Sequence, residues 1–295
     1  MKFPALCLLL LFSSTLFAAD APRKIAFGRG SAVWVANLDG SAARKVATGS
    51  WPDISPDGTR LAYTVDEPSK SEARRHVAVV DLGTGKTTIL KDVPSNNCYG
   101  SWWSPDGSKL VFNIWTDNDW HIGLINADGT GFRYLKKATE KGHSLYPQCW
   151  ARDGQSIFAQ DLDAIYQLGV DGEVQKKWPL KPLIADGDMN SGSRMSLSPD
   201  GRTLLVEVDQ NEEPARKDWD GPQPAIWSID LAAGKAVRLT GRTIFAWEPR
   251  WMSDTEFLCT NQPVGEKEPS IYRASADGKS LKPVLKNART PSVSF

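Results

Sequence analysis

The chain has 295 residues and 41% of them are hydrophobic, enough apolar material for one large or two ordinary domains and far from a disordered composition. Lys plus Arg number 35 and Asp plus Glu number 35. That balance excludes the net basic field by which a protein binds nucleic acid or an acidic membrane, so any partner must be recognised by local chemistry.

The N-terminus, MKFPALCLLLLFSSTLFAAD, has one positive residue (Lys2), an apolar run through Phe12 and small residues around Ala18 and Ala19. This is a secretory signal peptide pattern, so residues 1–19 are set aside and a periplasmic or secreted product is expected. Cys7 opens the apolar run after Leu6, where no lipoprotein cleavage site is expected. No other stretch approaches the ~20 apolar residues needed to span a bilayer. Three further cysteines (Cys98, Cys149, Cys259) allow one disulfide at most and argue against a disulfide-framed fold.

The remaining chain is a repeat. The tetrapeptide SPDG occurs at Ser55–Gly58, Ser104–Gly107 and Ser198–Gly201, with degenerate copies at Ala151–Gly154 and Met252–Thr255. Their aspartates fall at 57, 106, 153, 200 and 254, intervals of 49, 47, 47 and 54 residues, the period of a four-stranded propeller blade. Ser, Pro, Asp and Gly in that order suit a type I turn, so each copy predicts a hairpin between two apolar strands. A second turn recurs at Asn37–Gly40, Leu82–Gly85, Asn126–Gly129, Gly169–Gly172, Leu231–Gly234 and Ser275–Gly278. There are six of these against five of the first. The imbalance resolves when TPSVS (290–294) is aligned with WPDIS (51–55), and RKIAF (23–27) with TRLAY (59–63). One blade is then divided between the chain ends, its inner strand C-terminal and its outer three N-terminal, which closes the ring. The expected fold is all-β, a six-bladed β-propeller of four-stranded blades occupying residues 22–295 as one domain.

The repeats WPDISPDGTRLAYT, SWWSPDGSKLVFN and SLSPDGRTLLVEV, each followed by a turn such as NADG or LDG, resemble those of the TolB-like family of β-propellers, which is related to the WD-type propellers. The resemblance covers the whole mature chain. It implies a periplasmic, non-enzymatic protein that binds a protein or envelope component, with the peptidoglycan-associated lipoprotein that TolB binds as the candidate partner. TolB carries an α/β domain ahead of its propeller. Here a blade strand already begins near Lys24, so no such domain is expected.

Candidate chemistry is sparse. GTGKT at Gly83–Thr87 suggests a phosphate loop, yet Val80 stands where that motif needs glycine and a strand is expected to follow, so a hairpin turn is predicted. Asp186, Asp188 and Asn190 alternate like the first half of a calcium loop, but Ser191 and Leu197 replace the glycine and glutamate the motif wants. Calcium is the only cofactor this segment could suggest, and a solvated connection is the plainer reading. His76 and His121 are expected just before equivalent third strands and His143 before an inner strand, without metal-ligand spacing. An alternative function, a metal-dependent sugar-acid lyase or hydrolase on a propeller scaffold, would rest on His143. No G-x-S-x-G elbow occurs.

Topology suggests the site. Trp51, Tyr99, His143, Asp188 and Trp247 each precede the first strand of a different blade and are expected to converge at one mouth of the channel as ligand-binding residues. Trp115, Trp120 and Trp219 lie in second-to-third-strand loops beside carboxylates, a second set suited to a partner surface, with partly buried loop anchors the equal alternative. The protein is expected to act as a monomer.

Overall fold

Each SPDG turn is held by its own side chains. In the second full copy Ser104 Oγ donates to Asp106 Oδ1 (2.6 Å) and accepts from Lys109 N–H (2.9 Å), while Asp106 accepts from Ser108 N–H (3.0 Å). The Ser104 hydroxyl and Ser108 together hold the Asp106 carboxyl down at about 2. The same arrangement recurs at Ser55–Asp57 and Ser198–Asp200. In a computed structural model, which describes residues 23–68, 74–138, 143–213 and 215–295, these turns join strands into six antiparallel sheets. The signal peptide lies outside the described residues.

The six sheets are the blades of a β-propeller. Blade 1 is the divided one: its inner strand Arg289–Val293 pairs with Lys24–Arg29, Ile25 opposite Val293 and Ala26 opposite Ser292. The inner strands of blades 2, 3, 4 and 6 are Ser50–Ile54, Cys98–Trp103, Tyr146–Trp150 and Ala246–Ser253. Blade 5 departs from the pattern. Its inner strand is only Met195–Leu197, and a separate pair, Gly187–Asp188, zips the far end of the second strand Thr203–Gln210 after a short helix at Leu180–Leu183. The core is divided accordingly into six apolar clusters, each formed by facing sides of two adjacent blades; Ala26, Val33 and Val35 of blade 1 meet Ile54, Leu61, Tyr63 and Ala78 of blade 2 in one of them. A strand buried on both faces reads as a continuous apolar run because alternate residues serve the two neighbouring interfaces.

Two belts of hydrogen bonds tie the blades together around the channel. Two residues before the turn serine, the side chain accepts the backbone N–H one residue further on in the next blade: Ser292 Oγ from Ile54 (3.0 Å), Asp53 Oδ2 from Trp103 (2.9 Å), Ser196 Oγ from Trp251 (3.1 Å). Nearer the mouth, a polar residue of the second strand accepts an N–H of the next blade's inner strand: Thr64 from Gly100 (3.1 Å), Glu207 from Glu248 (2.9 Å), Thr260 from Thr290 (3.1 Å). The inner strands bulge there, and the bulged residues Trp51, Gly100, Glu248 and Thr290 all have φ between +54° and +57°. Glycine takes this conformation freely and the other three do not.

The inner strand of blade 1 serves both belts, through Ser292 to Asp53 (2.6 Å) and Thr290 to Glu248 (2.7 and 2.8 Å). Deleting residues 290–295 should therefore expose the edge of Lys24–Arg29 and strip partners from the buried Asp53 and the half-buried Glu248 carboxylates, lowering stability by several kcal/mol. Thermal melting of the truncated protein checks this, and an unchanged midpoint would contradict it.

Candidate functional site

The face reached by the loops after the second and fourth strands gathers most of the aromatic residues singled out in the sequence. Trp51 packs edge-on against Tyr99 (ring centroids 5.5 Å), Tyr99 against Trp120 (4.9 Å), and Trp120 against Trp115 (5.1 Å). Two arginines lie on this row. Arg194 sits 4.0 Å from the centroid of Trp51 and 4.9 Å from that of Trp102; Arg75 sits 4.4 Å from Tyr99 and 5.4 Å from Trp120. Trp51 and Tyr99 of the rim set thus join Trp115 and Trp120 in one crescent; those two tryptophans are not in a loop as expected but are cross-strand partners on Lys109–Thr116 and Asp119–Asn126, whose connection is only Asp117 and Asn118. Arg75 Nε is fixed by Asn97 Oδ1 (2.8 Å). Burial, with Tyr146 adding to it, pushes the Tyr99 hydroxyl up to about 12 against the pull of Arg75 and Arg194, so it stays a neutral phenol.

A second aromatic group faces it from blades 5 and 6. Trp219 lies 6.0 Å from Trp247 and 5.1 Å from Phe245, its indole N–H bonded to Pro222 O (2.8 Å). The loop bearing Trp219 is clamped by Arg216, which binds Asp218 through two contacts (3.0 and 2.7 Å), the carbonyls of Gln262 and Pro263, and the face of Phe245. Residues 215–222 are therefore held in place by side-chain contacts.

Asp188 stands apart from these rings. Asp188 is exposed, one oxygen on Lys181 Nζ (2.6 Å) and the other on Asn211 (2.5 Å), while Asn190 donates to Asp209 (2.9 Å). Both Asp188 carboxylate oxygens are thus engaged by side chains, and Asn190 Oδ1 accepts the Gly192 N–H (2.7 Å). His143 is exposed beside the start of the strand Asp119–Asn126, where Ser144 and Leu145 bond to the backbone of Trp120 (both 3.1 Å). His76 and His121 lie inside the third strands Arg74–Asp81 and Asp119–Asn126, later than the sequence suggested. His76 Nε2 is 3.5 Å from Glu67 and His121 Nδ1 accepts Ala138 N–H (3.0 Å). Gly83–Thr87 is a hairpin turn running into the strand Thr87–Ile89. Cys98, Cys149 and Cys259 are buried free thiols. Among the described residues no group of three His, Cys, Asp or Glu could hold a metal ion.

Sequence reasoning missed the charged heart of the mouth. Glu248 accepts from Thr260 Oγ1 (2.6 Å) and from both the N–H and hydroxyl of Thr290. Glu207 is buried, and burial together with the Glu248 charge raises its carboxyl to about 8 despite the N–H groups of Glu248 and Arg194 that it accepts. Arg194 spans the channel between Trp51 and Trp102 with its Nε unpartnered, its pKa pulled down to about 10 by burial against the support of Glu248, Glu207 and Asp53. The signal was present: four residues before the turn serine the repeats read Trp51, Gly100, Pro147, Arg194, Glu248 and Thr290, so two charges stand where other blades carry glycine and proline.

No family model matches the sequence. The fold is similar to solved propellers. TolB from Acinetobacter baumannii is 17% identical with a TM-score of 0.68, covering 94% of this chain and 67% of that one. A putative TolB from Agrobacterium tumefaciens is 16% identical at a TM-score of 0.62, covering 90% and 88%. The chain has the TolB-type propeller fold. An oligogalacturonate lyase from Vibrio parahaemolyticus, 17% identical at 0.55 over 82% and 71%, shares the architecture, so the fold alone does not choose a function.

Glu207 sets a pH test. Its folded pKa lies above the ordinary carboxylate value, so its contribution is full below that value and is lost as pH rises through about 8. Wild-type melting temperature should fall between pH 5 and pH 9, and Glu207→Gln, which keeps an oxygen to accept the two N–H groups, should flatten that fall. Equal slopes would contradict the assignment.

Proposed function

We propose that the protein is an exported, non-enzymatic TolB-like propeller that binds a protein or cell-envelope component through the loop-bearing mouth. The observation that carries this reading is the crescent Trp51–Tyr99–Trp120–Trp115 with two arginines stacked on it, faced by Trp219 and Trp247. Rigid aromatics and arginine are the residues that dominate protein interfaces. The backbone supports it too, since Trp51, Glu248 and the β-branched Thr290 hold a left-handed conformation at this rim, and such outliers persist where surrounding structure enforces them, commonly at functional sites. No helix among the described residues is long and apolar enough to cross a membrane. The signal peptide pattern and the likeness to TolB favour a periplasmic site of action, with a peptidoglycan-associated lipoprotein as the first partner to try.

The lyase or hydrolase reading has less support. It called for a metal at His143, and no ligand set accompanies that residue among the described ones.

The test is direct binding of purified peptidoglycan-associated lipoprotein, followed by Trp120→Ala combined with Trp247→Ala. Both tryptophans are half-buried on the mouth. Affinity should fall at least tenfold, equivalent to about 1.4 kcal/mol, with little change in melting temperature. Normal binding by the double variant would remove the mouth as the interface.

A further inference from the structure

The opposite end of the channel, where the SPDG-type turns meet, has a different character. A narrow cavity of about 50 Å³ lies there, walled by Trp102, Trp103 and Trp150 and by Arg152, Arg250 and Phe295. This volume exceeds the ~30 Å³ share of one liquid water and suits a small polar guest.

Both arginines break the repeat. Arg152 occupies the second position of its turn, where Pro56, Pro105, Pro199, Ser253 and Phe295 stand in other blades, and Arg250 occupies the inner-strand position that is Asp53, Trp102, Cys149, Ser196 or Ser292 elsewhere, so no other blade carries a cation at either place. Proline serves the turn at that position, so the repeat itself gives no reason for a guanidinium. Sites that violate a rule the rest of the sequence obeys are where function is sought.

The charges there are incompletely met. Arg152 rests 3.8 Å from the Phe295 ring centroid and makes no hydrogen bond or ion pair among the described residues. Arg250 pairs with Asp53 (3.1 Å) through one nitrogen, and its buried Nε has no partner. Arg23 is 5.4 Å from the same Phe295 ring, its guanidinium bonded to the carbonyls of Ser294 and Met252 (2.9 and 2.7 Å). Burial lowers the Arg152 pKa, and the positive charges of Arg250 and Arg23 lower it further against Cys149 and Asp254. Asp254 already accepts Asp200 N–H (3.0 Å). Three guanidinium groups thus stand beside two carboxylates, Arg152 half-buried, and Arg250 Nε is a buried donor left without a partner, which is costly.

We propose that this end of the channel is a binding site for a small oxyanion of phosphate or sulfate size, held by Arg152 and the free edge of Arg250. A guanidinium presents two parallel donors to such a group, and the low-dielectric wall strengthens the contact. The site lies across the disc from the proposed partner surface and stands independently of it.

Equilibrium dialysis with radiolabelled inorganic phosphate, at ionic strength held constant with sodium chloride, tests it. Wild type should show saturable one-to-one binding and a melting temperature that rises with phosphate. Arg152→Pro restores the residue of three other blades and should fold, yet bind phosphate at least tenfold more weakly. Arg152→Gln, of similar length and uncharged, provides the same readout should the proline variant fail to fold. Absence of saturable binding in wild type, or wild-type affinity in the folded variants, overturns the proposal.

Discussion

Everything in this molecule depends on a buried carboxylate that belongs to no single blade. Asp53 extends from blade 2 and is met by the hydroxyl of Ser292 from blade 1, the backbone N–H of Trp103 from blade 3 and the guanidinium of Arg250 from blade 6. A carboxyl group at 4% exposure is tolerated only with such a full set of partners. Four blades are thereby fixed about one point. Apolar packing between blades is strong and unspecific in position, because one aliphatic surface slides on another at small cost; directional bonds at the axis define the angular placement. Indole groups reinforce it, Trp103 Nε1 on Asp53 O (2.9 Å) and Trp150 Nε1 on Trp102 O (3.0 Å).

The fold was legible because its determinants are local and repeated. A Ser, Pro, Asp, Gly turn satisfies its own donors and acceptors, so it needs no tertiary context, and three exact and two degenerate copies at a steady period leave few architectures open. The divided blade followed from counting two kinds of turn. Blade 5 was less legible. The helix at Leu180–Leu183 and the extra pair Gly187–Asp188 lack a repeated signal and owe their form to packing, with Leu180 and Ile184 buried against Val206 and Val208. Residue histories at the mouth show a similar division. Aromatic residues could be picked out by type, and Trp51, Tyr99, Trp115 and Trp120 do share one row. Which charges meet them depends on the bulge, and a one-residue register change is invisible without the partner strand.

Comparing the blades with one another is informative. Where Thr64 and Thr260 cap an N–H with a hydroxyl, Glu207 does it with a carboxyl at a considerable cost in desolvation. An economical scaffold has no use for that exchange. The two ends of the channel also diverge, one lined by aromatic rows with a Glu–Arg network, the other by arginines with tryptophan walls. A shared architecture thus carries two chemistries on its two faces.

The divided blade also bears on how the chain reaches its native state. Arg23 and Ser294, bonded across it, are 271 residues apart in sequence, whereas the pairings inside the other five blades are between close neighbours. Bringing such distant segments together carries the loop-closure entropy of almost the whole chain, so this pairing belongs after the intervening blades have stacked. Until then Lys24–Arg29 presents an open strand edge, the kind of surface that captures other chains. Interactions formed this late stand outside the folding transition state and govern how fast the native ring reopens. The suture between the two termini is thus the kinetic lock of the propeller.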